Sequence, residues 1–250
     1  MDNLKDRERT IVRLLTEAPL LTVNEISERL GVSVVTARSD LDTLAEKGYL
    51  VRTRGGAIPA FHPDIIARQQ ERMDTKRRLA KAAAELVRDG DSIMIESGTT
   101  TALIARYLLG RKNLKIVSDS TLILPYVRAN PMISLEIVGG IFRPATESMT
   151  GPVTIEQLQQ YHVRLAFIGS DGFSCEYGLT TNFVEAAEVT RTMAQHCDTT
   201  VLVADSGKYG RRGFTRYMAL SEVDILVTDA GIDSAAAEEI KACGVAVTQV

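Results

Sequence analysis

The sequence predicts an α/β protein in which an N-terminal winged helix-turn-helix is followed by a doubly wound parallel sheet. Between residues 20 and 57, two short amphipathic helical segments are followed closely by a β-prone run. From about residue 92 onward, short apolar runs alternate with helical patterns and with clusters of Gly, Ser, Thr and Asp. This alternation is typical of βαβ units around a parallel sheet.

The two N-terminal helices are separated by a tight turn. Apolar residues recur at helical spacing after Thr22, which is placed to cap the first helix. Gly31 interrupts this pattern, and Ser33 is placed to cap a second helix. The apolar stripe of that second helix consists of Ala37, Leu41, Leu44 and Ala45. Two short helices joined by a Gly-containing turn indicate a helix-turn-helix, whose second helix lies in the DNA major groove.

The opposite face of the second helix carries side chains that can contact base edges or phosphates. The residues expected there are Ser33, Val34, Thr36, Arg38 and Ser39. After Gly48, the run 49–54 is β-prone and ends in two glycines, which predicts a hairpin wing. Arg52 and Arg54 on that hairpin can reach phosphates or the minor groove beside the second helix.

The composition is that of an ordinary globular protein. The chain has 250 residues, 45% of them hydrophobic, and a net charge of −3. DNA binding would therefore depend on a few placed basic side chains, since there is no general positive field. No apolar run approaches the roughly 20 residues of a membrane span and no signal peptide is recognised, so we expect a cytoplasmic protein without a membrane partner.

The cysteines and histidines indicate neither disulfides nor a metal site. Cys175, Cys197 and Cys243 are widely spaced, which predicts free thiols in a reducing compartment. The histidines are equally scattered, so the sequence predicts no bound metal and no cofactor.

The chain divides into three predicted parts. Residues 1–57 form the winged helix-turn-helix domain. Two prolines followed by a polar run predict a linker over residues 58–75. Residues 76–250 form the parallel-sheet domain.

The sharpest candidate for a ligand site follows the first predicted strand of that sheet. Ligands of such folds bind beyond the carboxyl ends of the strands. The residues in question are Ser97, Gly98, Thr99, Thr100 and Thr101. Backbone N–H groups, hydroxyls and a helix N-terminus together suit an anion such as phosphate, although plain helix capping by Ser and Thr explains the same pattern. Ser118, after the next strand, carries the same ambiguity.

Three charged residues follow other predicted strands. Asp171 and Glu185 can bind sugar hydroxyls, and Lys208 can reach an anionic ligand. Each alone also fits a helix cap or a solvated charge. Together, at successive strand ends, they predict a pocket for a small polyhydroxylated phosphate.

The N-terminal segment VSVVTARSDLDTLAEKGYLVRTRGGA closely resembles the DeoR-type DNA-binding signature. In that signature V-S-x-x-T-I-R-R-D-L-x-x-L is followed by G-x-L-x-R-x-x-G-G-A. Ala37 stands where the family usually has Ile, and Ser39 stands where it usually has a second Arg. The second departure concerns which operator sequence is read.

The remainder of the chain also resembles this family, in the blocks DGDSIMIESGTTT, LEIVGGIFRPATESMTGP, AFIGSDG, GLTTNFVEAAEV and VLVADSGKYG. The resemblance implies an effector domain similar in fold to ribose-5-phosphate isomerase and the coenzyme A transferases, which senses a phosphorylated sugar or sugar derivative. It also makes Asp171, Glu185 and Lys208 relatives of polar positions in the isomerase site. Residues 118–120 replace the usual T-N-S, and residues 206–208 replace S-S-K, so the ligand can differ from that of other members.

The leading hypothesis is therefore a non-enzymatic transcriptional regulator, most simply a repressor of a sugar or sugar-alcohol operon. It would bind operator DNA as a dimer or tetramer and respond to a phosphorylated sugar or sugar alcohol. The alternative is a sugar-phosphate isomerase-like enzyme with an accessory DNA-binding domain. A dinucleotide-dependent oxidoreductase is disfavoured, because no G-x-G-x-x-G follows any predicted strand.

Overall fold

The computed structural model of the protein describes residues 4–128 and 130–250. The chain forms two compact units, which divide between Glu71 and Arg72. Residues 1–3 of the predicted first domain lie outside the described ranges.

The N-terminal unit consists of helices around a small apolar core, with one β-hairpin. Its elements are α1 (Asp6–Glu17), α2 (Val23–Leu30), α3 (Val34–Glu46), β1 (Leu50–Thr53), β2 (Gly56–Pro59) and α4 (Pro63–Gln70). Ile11, Leu15, Ile26 and Leu41 are fully buried in this core. β1 and β2 pair antiparallel, with Thr53 opposite Gly56, so the hairpin closes through a two-residue turn. The predicted winged helix-turn-helix is thus confirmed.

The turn between α2 and α3 has the capping chemistry that the sequence predicts. The hydroxyl of Thr22 accepts a hydrogen bond from the backbone N–H of Glu25. Gly31 ends α2 in the left-handed conformation, at φ +64°, which glycine adopts without steric cost. The hydroxyl of Ser33 accepts from the N–H of Thr36 at 3.1 Å and so begins α3.

Residues 58–75, expected as a linker, contain regular structure. They hold the end of β2, all of α4 and the start of the next helix. The reason is apolar burial, because Ile65 and Ile66 of α4 are 1% and 5% exposed, and Ile66 packs into the N-terminal core. The N-terminal unit therefore extends through Glu71.

The C-terminal unit has an α/β architecture. Its helices are α5 (Met73–Glu85), α6 (Leu124–Val127), α7 (Pro152–Leu158), α8 (Val184–Gln195) and α9 (Ser234–Ala242). Its strands are β3 (Ser92–Ile95), β4 (Leu114–Ser118), β5 (Ile133–Ile137), β6 (Ile141–Arg143), β7 (Ser148–Thr150), β8 (Val163–Ile168), β9 (Gly172–Ser174), β10 (Gly178–Thr181), β11 (Cys197–Val203), β12 (Thr215–Met218), β13 (Ile225–Thr228) and β14 (Ala246–Gln249). Short 3₁₀ segments span Thr101–Leu108, Thr121–Ile123, Ser206–Lys208 and Leu220–Glu222.

Seven of these strands form one parallel sheet, in the order β14-β13-β11-β8-β3-β4-β5. The order reverses beside β3, whose neighbours β4 and β8 lie on opposite sides of it. In open α/β sheets a reversal of this kind opens a crevice at the carboxyl ends of the strands. The predicted doubly wound parallel sheet is confirmed.

Helices cover both faces of this sheet. Ile93 and Ile95 of β3 point to one face, where they share a core with α5 and the 3₁₀ segment 101–108. Met94, between them, packs on the other face with Val189 of α8. The strands are therefore buried on both sides, which explains their continuous apolar sequences. Beside the large sheet lie a three-stranded sheet, β12-β10-β9, and the hairpin β6-β7.

Candidate DNA-reading surface and ligand site

The outer face of α3 forms an exposed stripe on the N-terminal unit. Val35, Arg38, Ser39 and Asp42 recur at helical spacing and all are exposed. In the described ranges, Arg38 forms no ion pair. A cation with no internal partner on the second helix of a helix-turn-helix is free to bind a base edge or a phosphate.

The predicted DNA-binding residues at α3 have three kinds of surroundings. Arg38 and Ser39 face solvent. Ser33 and Thr36 hold each other at the start of the helix, with their hydroxyl oxygens 2.9 Å apart. Val34 is half-buried against the N-terminal core. This differs from the expectation for Val34, because Val35 takes the outward position with 77% of its surface exposed.

The two arginines of the wing have different surroundings. The Nε of Arg52 lies 2.8 Å from the Oδ1 of Asp42 on α3, and its Nη1 donates to the backbone oxygen of Gly56 at 2.6 Å. Arg52 therefore fixes the wing against α3. Arg54 is exposed in the turn of the hairpin. The next residue, Gly55, accepts a hydrogen bond from the N–H of Val23, which ties the turn to the start of α2.

In the C-terminal unit, the loop after β3 presents backbone donors without protein partners. The N–H of Ser97 donates to the Oδ1 of Asp119 at 2.8 Å. The next three N–H groups, of Gly98, Thr99 and Thr100, donate to no acceptor in the part of the chain that the structure describes. They precede the 3₁₀ segment 101–108, which stands where the sequence predicts a helix N-terminus. Unpaired N–H groups at such a point suit an anion.

A buried lysine that the sequence prediction did not include reaches this loop. The Nζ of Lys76 donates to the hydroxyl of Thr99 at 3.1 Å, and Lys76 is only 5% exposed. A signal for it exists in the sequence, because Lys76 falls on the same helical stripe as Leu79, Ala80 and Ala83. A lysine on an apolar helix face is rarely buried without a partner for its charge.

Two buried carboxyl groups, also missed, lie at the ends of β3 and β4. Glu96 accepts hydrogen bonds from the N–H of Gly169 at 2.7 Å and from the hydroxyl of Thr190 at 3.1 Å. Burial, together with the nearby Asp119 carboxylate, raises the pKa of Glu96 to about 8. Burial likewise raises the pKa of Asp119 to about 7. In the described chain neither carboxyl has a cationic ion-pair partner.

The remaining residues of the predicted loop have internal roles. Thr101 donates its hydroxyl to the backbone oxygen of Gly98 and is 1% exposed, and Thr100 is 8% exposed. Ser118 is fully buried, with its hydroxyl donating to Ile95 and accepting from Ser120. Ser118 therefore joins β3 to β4 and shapes the site, in place of the ligand contact that the sequence led us to expect.

The three charged residues predicted for the pocket are not equally placed. Asp171 accepts hydrogen bonds from Thr181 and Asn182 and is half-buried. The Nζ of Lys208 donates to the backbone oxygen of Ser170 at 2.6 Å. Ser170 immediately precedes Asp171 in the chain. Glu185 is exposed at the start of α8 and forms its ion pair, at 2.9 Å, with Arg143.

Two further observations concern metals and membranes. The described ranges contain no group of three or more His, Cys, Asp and Glu side chains that could hold a metal ion. In the same residues no helix has both the length and the apolar character needed to cross a lipid bilayer.

The two units together define a DNA-binding regulator: a winged helix-turn-helix joined to an α/β unit with a candidate anion site. Comparison with known families agrees. The model for the DeoR-like helix-turn-helix domain matches residues 7–60, and that for the DeoR C terminal sensor domain matches residues 71–230. The chain belongs to the DeoR family of transcriptional regulators.

Individual relatives extend over nearly the whole chain. The HTH-type transcriptional regulator GlpR of Haloferax volcanii is 31% identical over 97% of this chain and 96% of its own. The HTH-type transcriptional repressor GlcR of Bacillus subtilis is 32% identical over 90% of this chain and 88% of its own. These relatives are named as regulators, which favours a regulator over the isomerase-like enzyme.

Among solved structures, ribose 5-phosphate isomerase A from Methanocaldococcus jannaschii is similar to part of the chain. The likeness covers 55% of this chain and 54% of the isomerase, with a TM-score of 0.40 and 21% identity. It concerns the fold alone.

Proposed function

We infer that the protein is a transcriptional repressor whose operator binding is controlled by a phosphorylated sugar or sugar alcohol. The single observation that carries the effector part of this proposal is the contact of Lys76 with Thr99, because it brings a buried ammonium group to a loop of unpaired backbone donors. The DNA-binding part follows from the family and from the exposed face of α3.

A phosphate group has the chemistry that the loop after β3 requires. Its oxygens accept several hydrogen bonds at once, which the N–H groups of Gly98, Thr99 and Thr100 are free to donate. Its negative charge pairs with the ammonium of Lys76 in a largely dehydrated site, where charge-assisted hydrogen bonds are strong. A neutral sugar has no charge to attract the ammonium of Lys76 and offers fewer acceptors to these N–H groups.

The residues farther along the strand ends suit the hydroxyl groups of such a ligand. Asp171 is half-buried with its carboxylate beside the β8 strand end, and Lys208 is held at the backbone oxygen of Ser170. A carboxylate accepts hydrogen bonds and an ammonium group donates them. Asp171 can therefore accept from the hydrogen of one ligand hydroxyl, and Lys208 can donate to the oxygen of another. We assign Gly98, Thr99, Thr100 and Lys76 to the phosphate, and Asp171 and Lys208 to the remainder of the ligand.

On the DNA side, Arg38 and Ser39 would contact base edges or phosphates in the major groove, with Val35 against a thymine methyl group. Arg54 would reach the backbone or the minor groove from the wing. A homodimer or tetramer would bind paired half-sites, as is usual for helix-turn-helix proteins.

The experiment begins with a DNA site selected by the purified full-length protein from a random library. Its affinity is then measured by fluorescence anisotropy with and without D-glucose 6-phosphate, D-ribose 5-phosphate and glycerol 3-phosphate. The unphosphorylated compounds serve as matched controls. We expect at least one phosphate to change operator affinity by about 5- to 150-fold, a usual range for such coupling, and the controls to have no effect.

A thermal-unfolding screen with the same compounds provides an independent measurement, because a ligand that prefers the folded state raises the melting temperature. Turnover of any of these phosphates by the purified protein would favour the isomerase-like alternative. A protein that responds equally to glucose and to glucose 6-phosphate would contradict the assignment of the loop to phosphate.

A further inference from the structure

Arg72, the first residue of the C-terminal unit, is held by two buried carboxylates at the carboxyl edge of the sheet. Its guanidinium forms ion pairs with Asp205, which comes shortly after β11, and with Asp229, which follows β13; the Nη2–Oδ2 distance to Asp229 is 3.2 Å. Asp205 and Asp229 are 7% and 5% exposed. Since β11 and β13 are neighbours in the sheet, one arginine joins two adjacent strand ends.

The surroundings of this guanidinium are shaped to receive it. A Cβ atom on Gly207 would lie 2.5 Å from the Nη1 of Arg72, and a Cβ on Gly231 would lie 2.3 Å from the hydroxyl oxygen of Ser206. Both distances are shorter than real contacts, so a larger residue at position 207 would displace the guanidinium and one at position 231 would displace the Ser206 hydroxyl. We name the group Asp205, Ser206, Gly207, Asp229 and Gly231 the Arg72 socket.

Hydrogen bonds fix the socket from within. The N–H and hydroxyl of Ser206 both donate to Asp229, at 2.7 and 2.9 Å, and the N–H of Gly207 donates to Asp205. Burial alone would raise the pKa of Asp229, but these donors and the charge of Arg72 outweigh it and leave the pKa below its ordinary value. Asp229 is therefore an ionised acceptor at neutral pH.

Arg72 also determines how the chain enters α5. Its backbone is left-handed, at φ +50° and ψ +39°, a conformation that residues other than glycine rarely adopt. The residue before it, Glu71, is the last of the N-terminal unit. The start of α5 thus depends on the backbone conformation of Arg72, and the socket holds the side chain of this residue.

Two short covalent paths join Arg72 to the proposed effector contacts. The 3₁₀ turn Ser206–Lys208 begins in the socket and ends at Lys208. The first turn of α5 begins at Arg72, whose backbone oxygen accepts from the N–H of Lys76 at 3.0 Å, and the Lys76 side chain reaches Thr99. A ligand that moves Lys208 therefore moves the 3₁₀ turn that forms part of the socket. A ligand that moves Lys76 moves the first turn of α5, which begins at Arg72.

We propose that Arg72 and its socket transmit effector binding to the DNA-binding unit, by coupling the two ligand-contacting lysines to the backbone conformation of Arg72, the residue at which the C-terminal unit begins. Arg72 adopts two arrangements in the socket, and the effector binds the protein more tightly in one of them. The difference between these two affinities is the coupling between the effector site and the DNA-binding unit. This proposal rests on the proposed function. It assigns Arg72 a positioning role, with no contact to either ligand or DNA.

The test uses the full chain and the substitution Arg72→Lys, which keeps the charge but cannot bridge two carboxylates. The matched control is Arg78→Lys, on the exposed side of the same helix. The probe is whichever of D-glucose 6-phosphate, D-ribose 5-phosphate and glycerol 3-phosphate changes operator affinity most in the parent. We expect Arg72→Lys to bind operator without probe, and probe without operator, within about 3-fold of the parent, while the operator response falls from the usual ~5- to 150-fold range to below about 2-fold.

A second variant keeps the proposal open to refutation if Arg72→Lys folds poorly. Gly207→Ala places a methyl group where the guanidinium lies and should reproduce the lost response, while thermal unfolding confirms that the variant is folded. An Arg72→Lys protein with the parent's response overturns the proposal. So does a loss of probe binding in that variant, since Arg72 would then contact the ligand. A parent that responds to none of the three probes refutes the proposed function itself, whatever Arg72 does.

Discussion

The Nζ of Lys76 lies 3.1 Å from the hydroxyl of Thr99, although Lys76 belongs to α5 and Thr99 to the loop that follows the next strand, β3. The pair brings a buried positive charge to the only loop in the described chain that we assign to phosphate. If that assignment is right, the charge and the loop act as one site, and changes at either residue should affect ligand affinity before they affect DNA affinity.

Replacing Lys76 by Gln should weaken binding of the responsive sugar phosphate by roughly 10- to 150-fold. A hydrogen bond to a charged group contributes about 1.5–3 kcal/mol, and the amide retains no charge to pair with phosphate. Isothermal titration calorimetry measures this directly. Lys81→Gln, on the exposed side of the same helix, is the control. Equal losses in both variants would mean that the effect is one of net charge.

Replacing Lys208 by Ala should leave operator binding intact and reduce the response to ligand. The side chain donates to the backbone oxygen of Ser170, next to Asp171, so its loss affects the pocket and not α3. Fluorescence anisotropy with a titration of the sugar phosphate distinguishes the two effects. If Lys208→Ala responds at the same ligand concentration as the parent, the pocket lies elsewhere.

Replacing Arg38 by Ala should weaken operator binding by about 1–3 kcal/mol if the guanidinium contacts a base, and the loss should be greater for the selected site than for random DNA. A phosphate contact would instead weaken both DNAs alike and reduce the salt dependence by about one ion. Gel-shift titrations at several salt concentrations separate these outcomes. Arg88→Ala, an exposed arginine in the C-terminal unit, carries the same change of net charge and should behave as the parent.

Replacing Glu96 by Gln should stabilise the folded protein at pH 8 but hardly at pH 4. Its ordinary pKa of 4.5 is raised to about 8 by burial and by Asp119, so the unfolded state loses the proton first as pH increases. Stability therefore falls between about pH 4.5 and 8 in the parent, and an amide removes that loss. The expected gain is roughly 1–4 kcal/mol at pH 8.

Urea unfolding of the two proteins across pH 4–8 measures this difference. Because Asp119 titrates in the same region and its charge acts on Glu96, the difference between the two curves reports the coupled titration of the pair. A stability gain that does not depend on pH would show that folding leaves the pKa of Glu96 unchanged, in conflict with its buried position.

The winged helix-turn-helix was predictable because its determinants are local. Thr22, Gly31 and Ser33 act within three residues of the helix ends that they define, and each does what its chemistry favours. The parallel sheet was predictable for a related reason. Strands buried on both faces leave continuous apolar runs in the sequence, whatever their spatial order.

The exposed face of α3 was predicted less accurately. Successive residues of a helix point about 100° apart, so an error of one position in the phase exchanges an inward side chain for an outward one. Residues 34 and 35 are both valine and have similar neighbours in the sequence. The core around Leu41 decides between them, and that core also includes residues from α1 and the wing.

Contacts between distant residues account for what the sequence did not reveal of the candidate site. Lys76 on α5 meets Thr99 in the loop after β3, and Arg72 meets Asp205 and Asp229 far along the chain. No spacing rule predicts which charges a fold brings together. The position of Lys76 on an apolar helix stripe was the one available sign, and Arg72 carried none, because its left-handed backbone breaks the usual preference for glycine.

The order of the strands has a consequence for protein synthesis. The core of the N-terminal unit draws on residues from Leu4 to Ile66, so it is complete early in translation. Ile93 of the central strand pairs with Leu165, which leaves the ribosome several seconds later at about 5–20 residues per second. A nascent or prematurely terminated chain thus holds every residue of the N-terminal core before the partner strand of β3 has been synthesised.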